Sequence, residues 1–138
     1  MAGFESRHVV VLGRWHQLLV DTYAAQHVGE RTPLIGTGFA LIGLHLALEA
    51  GWDGLAVRDA HQDLARRYRA WPAFPAPERR GALTVLDLAL ASTPAEHVER
   101  LRAWARDVWQ AWADSHAAVA VLIAERLPLG RRRPAGSS

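Results

Sequence analysis

Residues 15–27 read WHQLLVDTYAAQH. At about 100° per residue, His16, Val20, Tyr23 and His27 fall on one stripe of a helix. Leu12, Trp15 and Leu19 flank that stripe, which predicts it to be the buried side. An inward imidazole needs a hydrogen bond, a second titrating group or a metal. Asp21 falls on the opposite side with Arg14 and Gln17. There it reads as a solvated ion pair or as a carboxylate orienting an imidazole on a neighbouring helix.

Working outward, the pattern predicts a first helix from about Arg7 to His27, broken by Gly29 and Pro33. Thr37 caps a second, roughly Gly38 to Ala50, apolar nearly all round and hence the most enclosed element. Asp53 caps a third helix reaching about Ala70, with Val57, Ala60, His61, Leu64 and Tyr68 on its inner face. The run 71–77, WPAFPAP, cannot be helical, because its prolines remove donors and fix φ. It is an ordered strap if Trp71 and Phe74 dock, and otherwise a linker. Ala82 to Ala91 is a short helix. Thr93-Pro94-Ala95-Glu96 supplies an N-cap, a proline at the first helical position and a glutamate at the third. The helix it starts is expected to run unbroken to about Arg126, before Pro128. No strand-like alternation of useful length is present. The expected fold is therefore all-α: a four- or five-helix bundle over residues 1–129 with a Pro-rich strap between helices three and four. Residues 130–138 form a disordered basic tail.

The composition narrows the chemistry. The chain has 138 residues, seven histidines, no cysteine and a formal charge of +2. Disulfides, thiolate nucleophiles and sulfur-ligated zinc are excluded, and the charge is too small to mark a specific nucleic-acid binder. No basic segment followed by a long apolar run opens the sequence, and residues 39–48, its most apolar stretch, are too short to span a bilayer. The expectation is a cytoplasmic protein without membrane contact.

In an antiparallel hairpin of the first two helices, His16 and His45 lie at matching depth, about 12–16 Å below the turn. Glu49, one turn past His45, points the same way, and His61 on the third helix reaches a similar layer. His16, His45, Glu49 and His61 together would suit a divalent metal such as zinc, iron, manganese or nickel. A bound metal would polarise a substrate oxygen or activate water. Without metal, His16 is the candidate general base, with Tyr23 as proton donor or orienting hydroxyl, and Asp21 is the candidate carboxylate orienting an imidazole on a neighbouring helix. The bland alternative is that the histidines are core or rim residues satisfied by backbone carbonyls, each other or water. Trp104, Trp109, Trp112 and His116 cluster on the long helix, as core and dimer-interface packing or as an aromatic ligand pocket ending in His116.

Three stretches resemble one uncharacterised bacterial family, known only as domain of unknown function 5946. They are residues 15–27, residues 81–87 (GALTVLD) and residues 104–116 (WARDVWQAWADSH), and the resemblance spans about residues 8–120. It implies no established activity, but it raises interest in Asp21, Tyr23, Gln26 and His27. Two departures stand out: family members carry a cysteine-bearing N-terminal segment, and paired histidines where this chain has Ser115-His116. A looser similarity, in architecture and histidine count alone, is to the DinB/YfiT-like bundles, which bind a divalent metal through three histidines.

Taken together, these features lead to a homodimeric, small-molecule-binding bundle with an interior His-rich site, as a divalent-metal-dependent enzyme of unknown reaction. Its ligand pocket would be lined by Gln26, His27, Trp104, Trp112 and His116. The alternative is a non-catalytic ligand-binding or protein-interaction module with structural histidines.

Overall fold

The computed structural model describes residues 15–127, and the expected tail at 130–138 lies outside the described residues. Six α-helices follow one another: α1 (15–26), α2 (Leu34–Leu48), α3 (Gly54–Arg67), α4 (Val85–Ala89), α5 (Pro94–Ala111) and α6 (His116–Arg126). A 3₁₀ turn, Ala113–Ser115, joins the last two. No strand occurs among the described residues, and no described helix is long and apolar enough to cross a membrane.

Helix α2 is the axis of the bundle and packs against α3, α5 and α6. Its sequence, LIGTGFALIGLHLAL, has no charged residue, and Ala40, Leu41, Ile42, Leu44 and Leu46 are all buried. A helix apolar on every side is stable only where neighbours cover every side. The helix begins four residues before the expected Gly38, at Leu34 after Pro33. Thr37 is consequently buried inside it and does not cap it.

Two glycines of α2 set how closely other segments approach. A Cβ on Gly38 would lie 2.6 Å from Cε3 of Trp71, so the bare backbone is what lets that indole dock. A Cβ on Gly43 would overlap the carboxyl of Asp21.

The Pro-rich segment is an ordered strap. Trp71 and Phe74 are buried, and the Trp71 ring meets Phe39 edge-on at 5.2 Å. Its Nε1 donates to the Tyr68 carbonyl, while Arg126 on α6 lies over both the Tyr68 and Trp71 rings. Further along, Arg80 donates to the carbonyls of Gln26 and Val28, which the end of α1 leaves without helical partners.

Asp53 caps α3 as expected, accepting from Ala56 N, and Thr93 caps α5, accepting from Glu96 N. The expected continuous helix from residue 94 to 126 is broken. Trp112 leaves the helical region at φ −92°, ψ 19°, and the 3₁₀ turn redirects the chain so that α6 packs along α2. His116 holds this corner: its ring stacks on Trp109 at 3.8 Å, and its Nε2–H donates to the Trp109 carbonyl at 2.7 Å. A straight rod of that length would have carried Val119, Leu122 and Ile123 past the core in which they are now buried.

Candidate functional site

The inward face of α1 is the reverse of the expected one. Val20 is 40% exposed, Tyr23 is 48% exposed, and His16 and His27 are also exposed, whereas Leu18, Asp21, Thr22, Ala25 and Gln26 are buried. The surface stripe is self-contained: Tyr23 and His27 stack at 4.1 Å, and His27 Nδ1–H donates to the Tyr23 carbonyl.

The buried polar residues of α1 are tolerated because almost every polar atom finds a partner. Thr22 donates to the Leu18 carbonyl one turn back. Gln26 donates to the carbonyls of Arg80 and Leu83 and accepts from Trp104 Nε1 at 3.0 Å. Trp112 Nε1 donates to the Ala25 carbonyl. Gln26, Trp104 and Trp112 thus belong to one neighbourhood, but as a sealed tie between α1, α5 and the segment before α4. With His27 on the surface and His116 against Trp109, the five residues do not enclose a ligand pocket. Trp104 and Trp112 are fully buried within the chain, which removes them from the surface a dimer interface would need.

Nor does the proposed metal set converge. His16 is exposed on α1. His45 lies edge-on to Trp109 at 6.1 Å, and Glu49 accepts from Trp109 Nε1 at 2.8 Å, so these two sit beside His116. Burial lowers the pKa of His45; neighbouring Glu49 opposes the shift and His116 adds to it. His61 is elsewhere, 7% exposed and stacked on Phe39 at 4.6 Å with the rings 7° from parallel. Among the described residues no three His, Asp or Glu side chains come together in a way that could hold a metal ion. The depth estimate matched heights along the bundle, but helix rotation sends the side chains in different directions.

What the fold does bring together is centred on Asp21. Its carboxyl is 3% exposed and rests on the bare backbone of Gly43. Gln17 Nε2 donates to Oδ1 at 3.1 Å and faces His61 Nδ1 at 3.4 Å, which makes a chain Asp21–Gln17–His61. Asp21 Oδ2 and His61 Nε2 have no hydrogen-bond partner among the described residues. Burial raises the Asp21 pKa well above the usual carboxylate value, and the bond from Gln17 only partly offsets this. Burial also pushes His61 down to about 4, against a smaller opposing contribution from the Phe39 backbone. Asp21 is therefore the opposite of the solvated ion pair that one sequence reading allowed.

Asp21 and Gly43 line a cavity of about 400 Å³. Trp15 and Leu18 of α1, Ala47 and Leu48 of α2, Trp52 and Asp53 of the following turn, and Val57 of α3 supply the other walls. Arg102 of α5 completes the lining, its guanidinium 5.6 Å from the Trp15 ring centre. The turn that carries Trp52 depends on Gly51, whose φ of +75° is a left-handed conformation costly for other residues. Of these lining residues, sequence reasoning makes only Asp21 a candidate site residue; Trp15, Asp53 and Val57 enter it as structural positions. The stripe Leu18, Asp21, Thr22, Ala25, with a glycine on the facing helix, is the signal that could have pointed here, outweighed by the more apolar face.

No curated protein and no solved structure matches the chain, so the expected similarity to DinB/YfiT-like bundles finds no support. A family model does match, over residues 1–113, covering α1 to α5 and hence every residue around Asp21. The chain belongs to DUF5946, a family of unknown function.

Proposed function

We propose that this bundle binds a small organic molecule in the cavity between α1, α2, α3 and α5, with Asp21 as its polar anchor, and that its histidines are structural. One observation carries this: a carboxyl oxygen without a partner, buried in a largely apolar cavity walled by two tryptophans. A buried polar atom left unsatisfied costs about 1–3 kcal/mol, and a ligand that satisfies it recovers that cost. A volume near 400 Å³ falls at the lower end of small-molecule sites, where apolar walls and a few placed polar groups are the rule. Two of the histidines, by contrast, have neighbours that account for them, Tyr23 for His27 and Trp109 for His116, while His61 is held by Phe39 and Gln17 on the ring face and at Nδ1. This favours the binding-module alternative over a metal-dependent enzyme.

The six tryptophans provide the test, because each indole N–H gives its own proton–nitrogen correlation in an NMR spectrum. Fragments that enter the cavity are expected to move the Trp15 and Trp52 signals. The Trp104 and Trp112 signals, tied to Gln26 and Ala25, should stay in place. A diverse fragment set that leaves Trp15 and Trp52 unmoved would remove the proposal.

A further inference from the structure

The lining of the cavity is specific about charge. Two of its side chains are carboxyls, Asp21 at the buried end and Asp53 in the turn after α2, and one is a cation, Arg102. Arg102 is engaged over the Trp15 ring, and no ion pair reaches Asp21 among the described residues. The Asp53 carboxylate is occupied in capping α3. An anionic ligand would face both carboxyls. A neutral donor would supply a hydrogen bond alone, whereas a cation also compensates the carboxylate form of the buried acid.

We infer that the ligand is an organic amine, whose protonated nitrogen docks on the Asp21 carboxyl while its apolar body lies between Trp15 and Trp52. The inference rests on the cavity being a ligand site and adds the class of ligand. Aromatic walls suit a cation as well as an apolar group, because the ring face attracts positive charge. Gln17 already donates to Oδ1, which leaves Oδ2, buried against Gly43, as the carboxyl oxygen without a partner among the described residues. The charged or titratable groups facing Asp21 are few: His61 of α3 through Gln17, Asp53 from the α2–α3 turn and Arg102 of α5. Nothing of that kind comes from α2, where Gly43 lies under the carboxyl.

Proton balance follows. At pH values below the raised Asp21 pKa the ligand-free carboxyl holds its proton; on binding, its O–H gives that proton to solvent, and the resulting carboxylate pairs with the ammonium. The ammonium keeps its own protons. Binding therefore releases about one proton per amine at pH values below the raised Asp21 pKa, and none well above it.

Titration calorimetry in two buffers of different ionisation enthalpy measures both affinity and proton release. Suitable probes are phenethylamine, phenethyl alcohol and phenylacetate, which share a ring and differ in the end group. The expected result is that only the amine binds measurably at millimolar concentration, releases a proton and shifts the Trp52 indole signal. Asp21→Asn keeps the shape of the side chain but cannot ionise, and should weaken amine binding about tenfold to a hundredfold and abolish proton release. Preferential binding of the alcohol or the carboxylate, with the Trp52 shift retained, would overturn the amine assignment and leave the cavity as a ligand site. Amine binding with equal affinity in Asp21→Asn would overturn it as well. Failure of all three probes to shift Trp52 would overturn the assignment, and the fragment set above then decides separately whether the cavity is a site at all.

Discussion

Gly43→Ala is expected to destabilise the protein by about 1–3 kcal/mol, although glycine to alanine inside a helix ordinarily stabilises by about 1 kcal/mol. The sign reverses because the new methyl would occupy the space of the Asp21 carboxyl. That carboxyl is buried and tied to Gln17, so it cannot swing into water without breaking the α1–α2 contact. Asp21→Ala removes the obstacle, at the cost of an unpartnered Gln17 amide and a small void. In that background Gly43→Ala should become neutral or stabilising. Urea denaturation of the four proteins would then give a coupling energy of about 2–3 kcal/mol between the two positions. A Gly43→Ala protein as stable as the parent, or additive effects, would mean that Asp21 does not press on α2, and the floor of the cavity would have to be redrawn.

That contact shows what was and was not legible in the residues. The helices were: Thr93-Pro94 begins α5, Asp53 begins α3, and the apolar run of α2 announces its place at the centre. The strap was legible as conditional on Trp71 and Phe74, and both dock. The orientation of α1 was not. In residues 15–27 two faces compete, one with Val20 flanked by Trp15 and Leu19, the other with Leu18 and Ala25 separated by Asp21, Thr22 and Gln26. Counting apolar residues favours the first. The second wins because its polar groups are satisfied inside the protein, and the deciding partners are remote in sequence. Trp104 reaches Gln26 across 78 residues, and Leu83 reaches it across 57. Periodicity is blind to pairs at such separation, since it weighs each residue by its own transfer cost and not by the bond waiting for it.

The break after Ala111 was hidden for a related reason. Residues 112–115 contain neither proline nor glycine, and alanine-rich flanks favour a continuous helix. Tertiary packing overrides that preference, with α6 gaining a place along α2 and His116 binding the Trp109 carbonyl at the corner. The histidine layer failed on rotation about the helix axes, a quantity that rise per residue does not contain. His45 and Glu49 do share a face, as their spacing requires. The second imidazole in that neighbourhood is His116, brought there by the unforeseen corner.

Replacing Asp21 by Asn should change how stability depends on pH, and the direction follows from the two buried groups joined by Gln17. The folded-state pKa of His61 is depressed to about 4, against an ordinary 6.5. As pH falls through about 6.5, the unfolded chain takes up a proton that the folded protein refuses. Stability is lost progressively down to about pH 4, by about 3 kcal/mol in all. Asp21 acts in the opposite sense. Its folded-state pKa lies well above 3.8, so as pH rises past about 4 the unfolded chain releases a proton that the folded protein keeps. Its contribution is fully present below that range and is lost as pH climbs towards the raised value. From about pH 4 up to the raised Asp21 value the two trends oppose one another in the parent protein. Asp21→Asn leaves His61 unopposed, so its stability should climb more steeply with pH across that window, and at neutral pH it should exceed that of the parent. Other carboxylates, such as Asp63 paired with Arg67, are common to both proteins and cancel in the difference. The measurement is a series of urea titrations across the window for parent, Asp21→Asn and His61→Phe, the last retaining a ring to stack on Phe39. His61→Phe should lose stability as pH rises relative to the parent. Three parallel profiles would show that neither group is held away from its ordinary pKa, and the proton released on amine binding would lose its source.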